Sequence, residues 1–451
     1  MEQIVFFITK TSQIIWGYPL ITALLCLSAY FSFKMNFPQF RYLKFAIKLS
    51  LEGKKHSFNL AGNISNYASL CTALSATLGT GNIVGVALAV AIGGPGVLFW
   101  IWVSGFLGMA TKYSEGFLAV KYRCVENDGG TSGGPMYYIE KGLKNKVLAK
   151  LFAFSGVCVA LLGIGTLVQS NSIAAAASSF GVPNIVTIIL LVIIVALITF
   201  EGITRISNVS EKIVPVMSVF YIGSAIFILL ARINMIPSAL SSIFVEAFSP
   251  KSIIGGIGGS FLNTLHLGMC RGVFSHEAGL GSAAIAAAAA KTDSPVKQGL
   301  VSMIGAFFSV IVCTMTGLVL IITAGETSIF SSKCAIDRTL LTSYAFGAGL
   351  GSLELGKCIV NLGILFFAFT TIIGWNYYGE KCIQYLCGMK AVNPYRILFL
   401  FFVMIGPFFN IDLIFVLADI VTGLMVIPNI LGLIGLRKTV IKETTIYRLK
   451  Q

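Results

Sequence analysis

Long apolar runs separated by short polar clusters repeat along the chain, and none alternates with the two-residue period of a half-buried strand. A hydrocarbon core about 30 Å thick takes roughly 20 apolar residues of helix to cross. Eleven runs approach that length: 13–33, 68–92, 96–120, 151–179, 185–202, 212–232, 253–271, 298–324, 356–385, 394–408 and 412–436. Backbone amides and carbonyls find no water in lipid, so each run is expected to be a helix. The alternating segments of about ten residues that build a membrane barrel do not occur. The pattern therefore predicts an all-α polytopic membrane protein.

Composition agrees. Hydrophobic residues make up 56% of the 451 and charged residues only 11%, with a mean hydropathy of +0.88. Soluble domains are about 45–50% apolar and about 25% charged, so a soluble chain of this kind would expose large apolar patches and aggregate. The net charge of +14 would suggest nucleic acid in a soluble protein. Here its distribution matters instead, because Lys and Arg stay on the cytoplasmic side. With 34–67 placed in the cytoplasm, the runs Lys34–Lys55, Lys121–Lys150 and Arg437–Lys450 fall on one side, together with Arg271. The bias is about four to one. It predicts a multi-pass bacterial plasma-membrane protein, N-terminus outside and C-terminus cytoplasmic, with lipid and not nucleic acid around it. No small-residue cleavage site follows the first apolar run, so no cleavable leader is expected. The ten cysteines lack zinc spacing and read as small hydrophobes.

Two interrupted segments give the spans an order. With 1–67 set aside as an extra helix and basic linker, and 437–451 as a tail, two halves remain, 68–232 and 253–436. The first opens with Ser75-Ala76-Thr77-Leu78-Gly79-Thr80-Gly81-Asn82. The second opens with Ser260-Phe261-Leu262-Asn263-Thr264-Leu265-His266-Leu267-Gly268. Five spans per half invert the second against the first, and glycine-broken helices in such repeats mark a transporter's midplane site.

The polar residues inside the spans are the candidates for chemistry. Glycines flanking Thr80 weaken the helix by about 1 kcal/mol each, which frees carbonyls for a cation and amides for a carboxylate. The Asn82 carbonyl could add a sodium ligand; Gly81 and Gly85 also suit close helix packing. Gln169 fits either a substrate contact or an interhelical hydrogen bond. Thr370 and Thr371 could complete a sodium shell or back-bond within their own helix. Trp375 could wall a small pocket, fill the core or lie in the interface belt. Arg271, His276 and Glu277 read as a candidate gate on the cytoplasmic side, built on ion pairs. His276-Glu277 is not a zinc-protease motif, because Leu280 stands where a second histidine is needed. Glu115 has Lys112 one turn before it and is expected to pair with it.

These residues carry a resemblance. Leu78-Gly79-Thr80-Gly81-Asn82-Ile83, Gly93-Gly94-Pro95-Gly96, Gly133-Gly134-Pro135-Met136-Tyr137-Tyr138, Glu277-Ala278-Gly279-Leu280-Gly281-Ser282 and Gly374-Trp375 are similar to the alanine or glycine:cation symporter family, over roughly 60–436. The resemblance implies a leucine-transporter-type fold with one extra N-terminal helix. It implies sodium-driven uptake of alanine, glycine or D-alanine by alternating access, with proton coupling as the alternative. By position it implies Thr80, Gly81, Gln169 and Trp375 at the substrate. It implies Leu78, through its carbonyl, with Thr370 and Thr371 at sodium, and by analogy Asn82 and Thr264 at a second sodium. Three residues depart from the family pattern. His276 replaces an asparagine, Phe308 an aspartate and Glu201 a glycine.

The expected function is thus a secondary active transporter with sodium as coupling ion, no other cofactor and no enzymatic activity. No GxxxxGK[ST] loop supports nucleotide hydrolysis. A passive channel would conduct without saturating. A sensor would need an output domain, and the tail after Arg437 is short. Oligomeric state is left open.

Overall fold

The computed structural model describes residues 2–52, 61–125, 130–248, 261–327 and 340–449. Thirteen helices matter for the site: α1 Lys10–Lys34, α2 Asn66–Thr77, α3 Thr80–Gly93 and α4 Gly96–Lys121, then α5 Lys146–Ser178, α6 Asn184–Thr199 and α7 Ile203–Ala231. They continue with α8 Phe261–His276, α9 Ser282–Ala288, α10 Pro295–Ile322, α11 Leu353–Cys387, α12 Met389–Phe408 and α13 Ile411–Leu449. Strand structure among the described residues is confined to the short antiparallel pair Cys124–Val125 and Thr131–Ser132, plus a bridge from Ile64 to Ala290.

Among the described residues seven helices are long and apolar enough to cross a membrane, or eight if the bent pair α2–α3 is one span. The protein is a multi-pass membrane protein. Three expected spans fall outside this set. α4 is 26 residues long but carries Lys112 and Glu115 within its buried stretch. α6 is an apolar helix of 16 residues. The run 253–271 begins before the described residues resume at 261.

Burial separates centre from rim. In α5, 72% of the apolar window is covered by protein, against 28% in α12 and 33% in α7. α7 and α6 turn Val216, Val219, Phe227, Ile185 and Leu197 outward, faces that need lipid rather than water around them. The centre is α2–α3 held between α10, α11 and α5, with Trp375, Tyr221 and Phe367 fully enclosed.

The two ends of the bundle differ in charge. Lys121 pairs with Glu443 and Lys146 with Glu140, while Arg396 meets Glu380 at 2.8 Å and Lys297 meets Asp293 at 2.9 Å. Arg123, Lys141 and Lys381 lie in the same network. This is the basic end. At the opposite end Arg232 pairs with Glu326, and Lys357 with Glu354 at 3.3 Å.

The second interruption is not where the sequence suggested. α8 runs unbroken through Gly268, which packs against Trp100 with no space for a side chain. The chain leaves the helix only at Glu277-Ala278-Gly279-Leu280-Gly281. There Glu277, Gly279 and Gly281 all take positive φ, at 53°, 92° and 81°. A glutamate in that region is strained, and hydrogen bonds to its carboxylate hold it there. Ser260 and the residues before it lie outside the described set.

Candidate functional site

α2 and α3 meet at a 64° bend. Leu78 and Gly79 leave helical geometry, and Gly79 lies extended at φ −125° and ψ −163°. The break is closed from within: Gly79 N–H donates to Asn82 Oδ1 at 3.2 Å, and Asn82 Nδ2 donates to Ser309 Oγ at 2.8 Å. Ser309 Oγ donates in turn to the Ser275 carbonyl at 2.8 Å. Both ends of the Asn82 amide are therefore engaged, and the side chain caps the break, with one lone pair of Oδ1 beyond the Gly79 bond. Thr264 is buried near the start of α8, about 16 Å of helix axis from Ser275, whose Oγ lies 3.4 Å from the Gly81 carbonyl.

Beside the break, oxygens crowd around one hydroxyl. Thr371 Oγ1 lies 3.1 Å from the Ser75 carbonyl, 3.3 Å from that of Leu78 and 2.9 Å from that of Phe367. Thr370 Oγ1 lies 3.1 Å from the same Phe367 carbonyl. A hydroxyl owns one proton and can satisfy one of those three acceptors at a time. The Phe367 carbonyl already takes the Thr371 N–H within α11, so the acceptors short of donors are those of Ser75 and Leu78 at the break, a shortage that a cation corrects. Two oxygens each about 2.4 Å from a small hard cation, at right angles, stand about 3.4 Å apart, close to the spacings here. Of the expected trio, Thr371 reaches the Leu78 carbonyl, while Thr370 Oγ1 turns toward Phe367 O and Met217 Sδ, at 3.8 Å from the sulfur. Ser75 and Phe367 join through backbone carbonyls, which no side-chain pattern could reveal.

On the other side of Gly79 lies a second polar group. Gln169 Oε1 accepts from Thr80 N–H at 3.4 Å, and its Nε2 donates to the Ile164 carbonyl at 3.0 Å. The Thr80 hydroxyl is buried and has no protein partner, the mark of a group waiting for a ligand or water. Phe274 lies over Gly81, where a Cβ would come within 2.8 Å of the ring. Trp375 is completely buried, which removes the interface-belt reading. Its Nε1 donates to Glu277 Oε1 at 3.3 Å. The amides of Thr80, Asn82 and Ile83 at the opening of α3 donate to Gln169 Oε1, the Gly79 carbonyl and the Thr80 carbonyl.

Gly79 separates the two groups by being small. A Cβ there would sit 2.8 Å from Thr371 Oγ1 and 3.3 Å from Gln169 Nε2. Overpacking at such a point costs about 1–3 kcal/mol. Gly79→Ala is expected to weaken substrate and sodium together in transport titrations. An alanine variant with unchanged KM for both would show that the close packing has no bearing on either group.

Toward the basic end, the floor is Glu277. Its Oε2 accepts from Ser282 Oγ at 2.5 Å and Thr77 Oγ1 at 3.5 Å, which ties both broken segments to Trp375. Lys112 is buried between Glu277 and Glu115 and interacts electrostatically with each. The expected Lys112–Glu115 ion pair does not close. Glu115 Oε1 instead accepts from Asn429 Nδ2 at 2.7 Å and Gly279 N–H at 3.0 Å. His276 Nδ1 accepts from Ala278 N–H at 3.1 Å, so its proton lies on Nε2, 2.8 Å from Ser104 Oγ. Phe308 packs on the core, and Glu201 is exposed beside Arg205.

The gate read as one unit from Arg271, His276 and Glu277 is divided. Arg271 pairs with Asp419 at 3.3 Å, next to Trp16, whose Nε1 donates to the Asp419 carbonyl at 2.7 Å. About 9 Å of helix axis separates Arg271 from Glu277, so Arg271 belongs to the level above the break and away from the basic end. On that upper side a cavity of about 260 Å³ opens, lined by Asn171, Ser172, Asn361, Phe409, Ile411 and Phe415 among others. Among the described residues no cluster of His, Cys, Asp and Glu could hold a transition metal.

Comparison with known proteins agrees in one direction. The whole chain, residues 1–451, matches the sequence profile of the sodium:alanine symporter family. An uncharacterized transporter of Haemophilus influenzae is 47% identical over 443 residues, 98% of this chain and 95% of that one. The sodium/alanine symporter AgcS of Methanococcus maripaludis is 43% identical over 443 residues, covering 97% of this chain and 96% of its own. The probable sodium/glutamine symporter GlnT of Bacillus subtilis is 35% identical over 435 residues, covering 95% and 87%.

Proposed function

Because the chain belongs to the sodium:alanine symporter family, we propose that the space around Gly79 carries a small neutral amino acid, alanine, glycine or D-alanine, with sodium at the Thr371 oxygens. At the coarser level the protein is a cation-coupled amino-acid symporter and not an enzyme. The observation that carries the proposal is the Thr371 hydroxyl facing three buried carbonyls. Sodium entry there couples to substrate through Gly79, which touches both groups. The α-carboxylate of the substrate meets the Thr80 hydroxyl at the opening of α3. Thr80 and Gln169 bind its polar atoms, and Phe274 and Trp375 limit the side chain.

In this reading ten of the eleven spans form two inverted halves, 68–232 and 253–436, after an N-terminal helix and linker and before a cytoplasmic tail. The basic end faces the cytoplasm, which puts the N-terminus outside and the 260 Å³ cavity on the outer face. Transport proceeds by alternating access: the Glu277 floor opens as the Arg271 level closes. A potential of 100 mV contributes about 2.3 kcal/mol per sodium charge.

Labelled alanine uptake into proteoliposomes tests this, with and without an inward sodium gradient and with glycine, D-alanine and glutamine as competitors. Saturable accumulation above equilibrium that needs sodium is expected, with glutamine the weakest competitor because one oversized side chain has no room beside Phe274. Accumulation driven by protons alone would keep the fold and overturn the ion. Gln169→Ala is expected to raise the KM for alanine about tenfold, the loss of one good hydrogen bond to a charged group. An unchanged KM would remove Gln169 from the pocket.

A further inference from the structure

Arg123 follows α4 at the basic end, and its guanidinium is held by carbonyls. It donates to Ala290 O at 2.7 Å, Ala61 O at 3.0 Å, Ala288 O at 3.2 Å and Thr292 O at 3.3 Å. Among the described residues it has no carboxylate partner. The four acceptors come from two segments. Ala61 leads into α2, the first half of one broken helix; Ala288 ends α9, the last part of the other, and Ala290 and Thr292 follow it.

The same segments are bound to each other. Asn63 N–H donates to Ala289 O at 2.8 Å, and Lys291 N–H to Ile64 O at 2.8 Å. Thr131 Oγ1 stands 3.0 Å from Ala288 O and 3.1 Å from Asn63 Oδ1, bridging both. The approach is so close that a Cβ at Gly62 would come within 2.6 Å of Ala290 O, and Gly62 takes φ +138°. Carbonyls at the end of a helix lack intrahelical donors, and the planar guanidinium offers five donors in a fixed fork with a permanent charge. One side chain thereby gathers carbonyls from α2's leader and α9's tail onto the end of α4.

Those two half-helices are the ones that the Glu277 floor joins, since Thr77 lies on α2 and Ser282 on α9. We propose that Arg123 is a latch on the basic end: a positioning residue that holds α2 and α9 against α4 and so sets the balance between the two access states. This rests on the alternating-access reading above. Opening the floor requires the half-helices to part from α4, and the carbonyl clamp must release first. Its acceptors are neutral, so the latch works without titration of any carboxylate.

Cys71 reports the state of the floor, because it is buried on α2, on the basic-end side of the break, at 2% exposure. The experiment uses the full chain with Cys71 as the sole cysteine, solubilised in detergent and treated with a polar maleimide. In this parent, sodium and alanine are expected to change the labelling rate. Arg123→Ala is expected to raise the sodium-free rate about tenfold, the size of a modest shift between two states, with saturating sodium restoring protection. Arg123→Lys, which reaches fewer carbonyls, should fall between. Thr131→Val should move the rate in the same direction and decides the matter if Arg123→Ala does not fold. Folded variants labelled at the parent's rate would overturn the latch, as would fast labelling that sodium does not reverse, since that marks a merely structural cap. If the parent itself ignores sodium and alanine and shows no concentrative uptake, the alternating-access reading fails, and the latch with it.

Discussion

Thr371→Val is expected to abolish sodium-driven accumulation of alanine at ordinary sodium concentrations and to leave the protein folded. Valine keeps the shape of threonine at a site that is 1% exposed, so packing on α2 survives. The lost hydroxyl is the one oxygen that faces the carbonyls of Ser75, Leu78 and Phe367 together. A polar contact to a charged partner is worth about 1.5–3 kcal/mol, or roughly 10- to 150-fold in apparent sodium affinity. The Ser75 and Leu78 carbonyls would also be left with fewer ways to be satisfied, and the valine methyl would stand where the ion has to enter. The check is the sodium dependence of uptake at fixed alanine. Thr371→Ser restores the oxygen and should recover most of the affinity. A valine variant with the parent's sodium curve would place the coupling ion elsewhere.

How far the sequence could be read follows from where each signal is stored. The α2–α3 break was legible because glycines on both sides of Thr80 in an apolar run have few other uses. Thr370 and Thr371 were legible because adjacent hydroxyls in lipid need a reason. Ser75 and Phe367 were not, since they act through carbonyls that every residue owns. The second break was misplaced for a related reason. Gly268 and Gly272 are spacing glycines where α8 crosses α4, and a Cβ at either would strike Trp100 or Ser104. The true break uses Gly279 and Gly281, whose positive φ sets them apart only in three dimensions. Arg271 was read with Glu277 because the two are close in sequence. Arg271 lies within α8 and Glu277 just past its end, where the chain turns out of the helix, so the two stand at different levels, and Asp419, from far along the chain, supplies the pairing that proximity could not reveal. Lys112 and Glu115 show the same limit: one-turn spacing permits an ion pair, yet Asn429 and the Gly279 amide take the carboxylate instead.

The largest loss of stability is expected from Glu277→Ala. The carboxylate accepts from Trp375, Ser282 and Thr77, and it is one of two anionic groups facing the buried Lys112. Truncation leaves three buried donors to find other partners and removes part of the field that holds a lysine ammonium out of water. Breaking a buried charge arrangement on one side costs about 3–5 kcal/mol, the scale expected here, read as a lower midpoint of thermal unfolding in detergent and a shift of tryptophan emission from Trp375. Glu277→Gln keeps one acceptor oxygen, for Trp375 or for Ser282 with Thr77 but not for both sides, and loses the charge, so it should fall between the parent and Glu277→Ala. The pairing of Lys112→Met with Glu277→Gln then separates the causes. If the ammonium is what suffers, the double variant should be more stable than the two single losses add up to, by about 0.5–3 kcal/mol. Strict additivity would mean that hydrogen bonding alone makes the floor, with Lys112 held by Glu115. Uptake gives the independent view: the double variant should regain its fold without regaining full transport, because an uncharged floor no longer draws Thr77 of α2 and Ser282 of α9 onto one carboxylate.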